Sequence, residues 1–189
     1  MRLHELRDVF TMQLAELRSV ETQLIDALPR LAASSHDGTL RDALLRHHEQ
    51  TRRHRLRLDV VIRDVEGEAE VSDRESEPMR SLVRDALEVA SCDGPGDVRD
   101  VALVAAVRQI EQFEVASYAS AGMLARSLCY RNAERSFHTT LGEEREAGDL
   151  LARLADVGVL RRVGDLRQAG LAASRAADSS TIATRDRAR

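Results

Sequence analysis

Residues 103–124 read LVAAVRQIEQFEVASYASAGML, and this stretch decides the class of fold. It contains no proline, and apolar or small side chains recur along it at helical spacing. The residues on this face are Leu103, Val107, Ile110, Ser117, Ala121 and Leu124. Because a period near 3.6 residues indicates an amphipathic helix, the stretch predicts one long helix. We expect this helix to run from Asp97, interpreted as its N-cap, to about Leu128.

The same periodicity predicts three further long helices and one short one. The first runs over about residues 3–33, and Pro29 is expected to kink or close its last turns. The second runs over about residues 40–65, and the last runs from Asn132, interpreted as its N-cap, to about residue 155. A short helix over residues 79–90 lies in the long connection between the second and third long helices.

Four long helices with one long connection in the middle are typical of ferritin-like proteins. The sequence therefore predicts an all-α fold: a ferritin-like four-helix bundle with a short extra helix in the crossover connection. The bundle is expected to occupy residues 1–157. Residues 158–189 are small, polar and rich in arginine, and they predict a C-terminal tail that is largely disordered.

Composition excludes several classes of protein. Aromatic residues make up 3% of the 189-residue chain and tryptophan is absent, which argues against an all-β fold. The formal net charge of −4 argues against nucleic-acid binding, because nucleic-acid-binding domains are usually basic. The chain has no apolar run of the roughly 18 residues that a membrane span needs, and its first residues do not form a signal peptide. We therefore expect a cytoplasmic protein that does not bind membranes.

Four polar residues fall on the apolar faces of the predicted long helices, one on each. They are Glu21, His54, Glu114 and Glu144. A carboxylate buried alone costs several kcal/mol, so three of them with a histidine suggest a shared partner, and a pair of metal ions is the usual one. In the alternative interpretation, the glutamates lie at helix–helix boundaries and pair with arginines, and His54 is a core or boundary histidine.

The two halves of the chain resemble two helical hairpins. Each half places a carboxylate-type residue on its first helix opposite one on its second: Glu21 lies 29 residues before Gln50, and Glu114 lies 30 residues before Glu144. Di-iron carboxylate bundles are built from two such halves. The spacing therefore supports a dinuclear site with iron or manganese.

The aligned segments depart from the ideal set of ligands. Residues 49–54 (EQTRRH) match residues 143–148 (EEREAG) in this alignment, and neither segment contains Glu-x-x-His. Gln50 is a neutral and weaker ligand, and Gly148 supplies none. A different helix phase would bring in other weaker candidates, namely Glu49, Glu111, Glu143 and Asp149.

Three neighbouring polar residues are interpreted without a metal. His47 and His48 are expected at the surface or at a helix boundary. Tyr118 is expected in the core with its hydroxyl reaching a carboxylate, and a redox role is the alternative.

Several strings, in the same order along the chain, resemble the YciE/YciF ferritin-like stress-protein family. Its first helix is similar to residues 4–6 (HEL), 20–24 (VETQL) and 27–32 (ALPRLA), and its second helix is similar to residues 47–58 (HHEQTRRHRLRL). Its most recognisable stretch is similar to residues 98–100 (VRD) and 108–118 (RQIEQFEVASY), and its fourth helix is similar to residues 140–154. The resemblance covers about residues 1–157. It implies a ferritin-like homodimer linked to bacterial stress, with a possible dinuclear metal centre.

When the family's metal-ligand positions are compared with this chain one by one, the matching residues are Glu21, His54, Glu114 and Glu144. At two further positions, Gln50 stands where the family often has Glu, and Gly148 stands where it often has Asp. One hypothesis is a cytoplasmic protein with a degenerate iron or manganese site that handles a small oxidant. The competing hypothesis is a metal-free helical dimer that acts as a structural or protein-binding stress factor. The sequence leaves open whether the protein is an enzyme.

Overall fold

The computed structural model describes residues 3–66, 71 and 74–155, which form five α-helices and no strand. The helices are α1 (Leu6–Ser34), α2 (Gly38–Glu66), α3 (Glu77–Ser91), α4 (Gly96–Ser127) and α5 (Arg131–Leu154). The predicted all-α class is therefore confirmed. None of these helices combines the length and apolar character that crossing a membrane requires. The expected tail, residues 158–189, lies outside the described residues.

The four long helices pack as a bundle of two hairpins. Short turns join α1 to α2 and α4 to α5, α1 also packs against α4, and α2 also packs against α5. The short helix α3 lies in the crossover and packs against α1 and α4, with Met79 and Ala86 buried. The predicted ferritin-like bundle with an extra helix in the crossover is confirmed. The other apolar residues of α3, namely Leu82, Val83 and Leu87, are half-buried and pack against the aliphatic part of the core.

Pro29 lies inside α1, which ends at Ser34, close to the predicted end. Two expectations about N-caps are wrong. Pro95 is the N-cap of α4, so Asp97 lies in the first turn, where its carboxylate favourably meets the positive end of the helix dipole. Tyr130 is the N-cap of α5, and Asn132 lies inside the helix.

A layer of polar side chains divides the bundle core into two hydrophobic clusters. One cluster holds the aromatic residues Phe10, Tyr118 and Phe137. The other is mostly aliphatic and includes Leu24 and Val107. Each long helix contributes to both clusters, and between its two contributions it places glutamate or histidine side chains in the core. The bundle thus carries a polar centre enclosed above and below by apolar packing.

One buried carboxylate ties the first hairpin to α4. Asp100 accepts hydrogen bonds from the backbone N–H groups of His36, at 2.9 Å, and Asp37, at 2.6 Å. The chain approaches itself closely here, because a Cβ atom on Gly96 would lie 2.5 Å from the His36 ring. Glycine at position 96 is therefore required by the contact between the α1–α2 turn and the start of α4.

Candidate metal centre

Six buried side chains meet in the polar layer, and we call them the His/Glu cluster. They are Glu21 from α1, His47 and His54 from α2, Glu111 and Glu114 from α4, and Glu144 from α5. All four carboxylates are 0% exposed, whereas His47 is 5% and His54 is 1% exposed. The paired residues are three apart on α4 and seven apart on α2, so each pair lies on one face of its helix.

The cluster divides into two groups that share Glu144. In the first group, His54 Nδ1 lies 2.6 Å from Glu144 Oε1 and 3.9 Å from Glu21 Oε1. In the second group, His47 Nε2 lies 3.1 Å from Glu111 Oε1, 4.0 Å from Glu114 Oε2 and 3.8 Å from Glu144 Oε2. Within each group, one donor atom per residue lies within 4.8 Å of all the others. Each group can therefore surround one metal ion, with Glu144 between the two.

Most polar atoms of the cluster lack a hydrogen-bond partner. Ten buried oxygen and nitrogen atoms of the six side chains have none, including both oxygens of Glu111, Glu114 and Glu144. In the described part of the chain, the only other buried side-chain atom without a partner is Arg99 Nε. Because an unpaired buried polar group is costly, this concentration indicates a missing partner. His54 Nδ1 and Glu144 Oε1, although 2.6 Å apart, are both among these ten atoms.

The charge of the cluster fits the same interpretation. With all four carboxyl groups ionised and both imidazoles neutral, as metal binding requires, the cluster would carry a charge of −4 in a buried core. Two divalent cations would neutralise this charge and would use the unpaired donor atoms as ligands. The donor set of carboxylate oxygens and imidazole nitrogens suits iron and manganese.

Burial raises the pKa of three cluster carboxyl groups, those of Glu21, Glu111 and Glu114, and so favours their protonated form. Burial raises the pKa of Glu21 to about 8, although the neighbouring His54 charge opposes the rise. Burial also raises the pKa of Glu114 well above its usual value, and the charges of Glu144, Glu21 and Glu111 add to this effect. Burial likewise raises the pKa of Glu111, although the charge of His47 opposes the rise.

Both cluster histidines gain proton affinity from the carboxylates around them. Burial alone would lower the pKa of His47, but the charge of Glu111 and the contact with it outweigh burial and raise the pKa to about 10. The pKa of His54 is also raised, because Glu144, Glu21 and Glu143 outweigh the effect of burial. The metal-free cluster therefore stores protons that bound cations would displace.

A second layer of contacts orients the cluster. His54 Nε2 lies 2.8 Å from Glu143 Oε2, which also accepts a hydrogen bond from Arg57 Nη2 at 2.6 Å. Although partial burial opposes it, the Arg57 contact lowers the pKa of Glu143 and keeps it ionised. A charged Glu143 favours the His54 tautomer that carries its proton on Nε2, which leaves Nδ1 free to bind metal. Tyr118 donates its hydroxyl proton to Glu21, as expected.

The structure brings the four leading sequence candidates together. Glu21, His54, Glu114 and Glu144 are all in the cluster, and the complete burial of the three glutamates excludes their interpretation as boundary residues.

Among the weaker candidates, Glu111 joins the cluster, whereas Glu143 contacts it from outside through His54. Glu49 and Asp149 are exposed, and Gln50 is half-buried on the side of α2 that leads out to solvent. Glu49 and Gln50 lie outside the cluster because the inner face of α2 carries His47, Thr51 and His54. Asp149 lies outside it because the buried face of α5 carries Glu144 and Ala147.

The interpretation of His47 as a surface or boundary residue is wrong. His47 is buried and contacts three of the four cluster carboxylates. A signal was present in the sequence, since His47, Thr51, His54 and Leu58 follow each other at spacings of four, three and four residues. His48, by contrast, is half-buried and pairs with Glu49, as a boundary residue would.

The alignment of residues 49–54 with residues 143–148, made from the sequence, is wrong by one residue. Buried positions repeat with a constant offset of 93: Glu21 corresponds to Glu114, Thr51 to Glu144, and His54 to Ala147. Gln50 and Gly148 are therefore not the counterparts of Glu144 and His54. Those counterparts are Thr51 and Ala147, which offer neither a carboxylate nor an imidazole. His47 and Glu111 add a second histidine and a fourth carboxylate to the cluster.

Comparisons with known proteins agree over the whole bundle. A family model described as a domain of unknown function, DUF892, matches residues 5–164. Protein YciF of Escherichia coli strain K12 is 34% identical over 155 residues, which is 82% of this chain and 93% of that protein. The crystal structure of the E. coli stress protein YciF has a TM-score of 0.80 at 32% identity and covers 84% of this chain and 99% of that chain.

A second solved structure is YcfI from Rhodopseudomonas palustris, described as a candidate structural protein. It has a TM-score of 0.74 at 26% identity and covers 79% of this chain and 94% of that chain.

Proposed function

The chain belongs to the YciF-like DUF892 family, and we propose that it is a ferritin-like metalloprotein that binds two divalent ions, of iron or manganese type, in the His/Glu cluster. The observation that carries this proposal is the set of ten unpaired donor atoms in a buried cluster of four glutamates and two histidines. This is the ligand complement of carboxylate-bridged dinuclear sites in bundles of this kind. Here the ligands are distributed differently over the four helices.

The protein's own residues would hold and shield the two ions. Glu144 belongs to both groups and is placed to bridge them, while Glu143 and Arg57 fix the orientation of His54. Tyr118 fixes one oxygen of Glu21 and leaves the other free. The two hydrophobic clusters enclose the ligands above and below. Iron or manganese held by these residues would, in its reduced state, supply electrons to a small oxidant, so we propose that the protein handles oxygen or peroxide.

We extend the proposal to the cellular role and the assembly. The E. coli relative is described as a stress protein, which supports a role for this protein in the stress response of a bacterial cytoplasm. We also propose a homodimer. Light scattering at micromolar concentration should give twice the chain mass of 21.0 kDa, and a monomer mass would count against the dimer.

A second candidate function is a metal-free structural or protein-binding factor. The likeness to YcfI, described as a candidate structural protein, favours it. A site with the same ligands in both halves would carry a glutamate at position 51 and a histidine at position 147. The chain has Thr51 and Ala147 there instead, which also favours the metal-free function.

Thermal unfolding with and without metal separates the two functions. Because a ligand that binds only the folded state stabilises it, anaerobic Fe(II) or Mn(II) should raise the melting temperature of the wild type. Glu144→Gln, which changes the ligand shared by both groups, should abolish the rise. Glu88→Gln makes the same chemical change at an exposed position of α3, so metal should still raise the melting temperature of this variant. If neither metal moves the wild-type melting temperature, the metal-free function stands.

A further inference from the structure

A cavity of about 790 Å³ opens between α2 and α5 beside the His/Glu cluster. Its floor is made of the buried residues Leu44, His47, Ala147 and Leu151. Its mouth is made of exposed charged side chains of both signs: Asp42, Arg46, Glu49, Arg53, Glu146 and Arg153. Because these charges balance, the mouth selects neither strongly for cations nor strongly for anions.

His47 connects this cavity to the cluster. Of the six cluster side chains, all of them in the described part of the chain, only His47 also lines the cavity. It is also the most exposed of the six, at 5%, whereas the four glutamates are 0% exposed. The second group of the cluster therefore faces the cavity, and the first group, around His54, is enclosed.

Ala147 explains why the cluster is open on this side. By the offset of 93 residues, it occupies on α5 the position that His54 occupies on α2. A histidine at position 147 would project an imidazole ring from the floor of the cavity toward the second group. Alanine leaves that space empty, and His47 approaches the same group from the opposite helix instead.

We propose that this cavity is the entrance to the His/Glu cluster, and that a small neutral or singly charged donor molecule, of the class of hydrogen peroxide or azide, binds beside His47 in the space that Ala147 leaves. This inference rests on the proposed metal function and names its access route and ligand position. His47, Glu111, Glu114 and Glu144 offer one donor atom each to the second group. Iron and manganese commonly take more than four ligands, so a position remains for an external donor.

Azide binding to the Co(II)-loaded protein tests the inference, because the visible spectrum of Co(II) reports its ligands. Azide should change the spectrum of the wild type. Ala147→Leu fills the floor and should weaken azide binding by more than about tenfold, as expected when a side chain occupies a ligand position. It should also slow Co(II) uptake. Ala119→Leu adds the same atoms to an exposed position on α4 and should match the wild type in both measurements.

A second variant keeps the test decisive if Ala147→Leu does not fold. Ala147→His restores the symmetric ligand, so it should retain Co(II) but lose the spectral response to azide. If the wild type and a folded variant at position 147 respond equally to azide, the cavity is not the entrance to the cluster, although the proposed metal function would still stand. If the wild type takes up no Co(II), the proposed function fails and the inference fails with it.

Discussion

Glu21→Gln should stabilise the metal-free protein, and the size of the effect follows from the burial of Glu21. The pKa of this carboxyl is raised from 4.5 to about 8 by burial. Between these two pH values the unfolded chain releases a proton that the folded chain keeps. The free energy of unfolding therefore falls as the pH rises through this range. Glutamine resembles the protonated acid and removes this loss, and its amide oxygen can still accept the hydrogen bond from Tyr118.

The magnitude depends on pH. At pH 7, which is about 2.5 pH units above the unfolded value, the stabilisation should be on the order of 3 kcal/mol, at roughly 1.4 kcal/mol per unit. At pH 5 it should fall below about 1 kcal/mol. Urea unfolding of chelator-treated protein at pH 5, 7 and 8 measures it, with Glu88→Gln as the control for an exposed carboxylate. A Glu21→Gln variant no more stable than the wild type at pH 7, or equally stabilised at pH 5 and pH 8, would refute this account of the buried charge.

Substitutions at three further positions test other parts of the structure. Glu143→Ala removes the group that orients His54 and should lower the affinity for Mn(II) about 10- to 100-fold in a titration, whereas Glu143→Gln, which keeps an acceptor, should lower it less. Gly142→Ala should raise the free energy of unfolding by about 0.5–1 kcal/mol in urea, because this helical glycine has open space around its Cβ position. Gly96→Ala should lower that energy by about 1–3 kcal/mol, because the new methyl group would meet His36, and an unchanged thermal melt would contradict the close contact.

Helix periodicity was sufficient to predict the fold and most of the cluster. Glu21, Glu114 and Glu144 interrupt apolar stripes of long helices, and a stripe marks the buried face whatever the neighbouring helices are. The crossover helix and the two hairpins follow from the glycine and proline residues that separate the periodic segments. The helix ends were less predictable, because Pro95 and Tyr130 cap their helices without a side-chain hydrogen bond.

The ligand positions on the second helix of each hairpin were harder to predict from the sequence. Gln50 and Thr51 are neighbours in sequence, but their side chains point about 100° apart around the helix. The spacing of Thr51 between His47 and Leu58 and the packing of α2 against α1 and α5 agree that Thr51 faces the core. The same packing turns His47 inward. The sequence alone does not show that His47 reaches carboxylates of α4 and α5, because those contacts depend on how the helices pack against one another.

Metal content is the most direct test of the central claim that the His/Glu cluster is a dinuclear metal site. Protein purified without added metal, and the same protein after anaerobic incubation with Fe(II) or Mn(II) and removal of free ions, can be analysed by elemental mass spectrometry. The two groups that share Glu144 predict two ions per chain after incubation. A protein that retains neither iron nor manganese under either condition would contradict the claim.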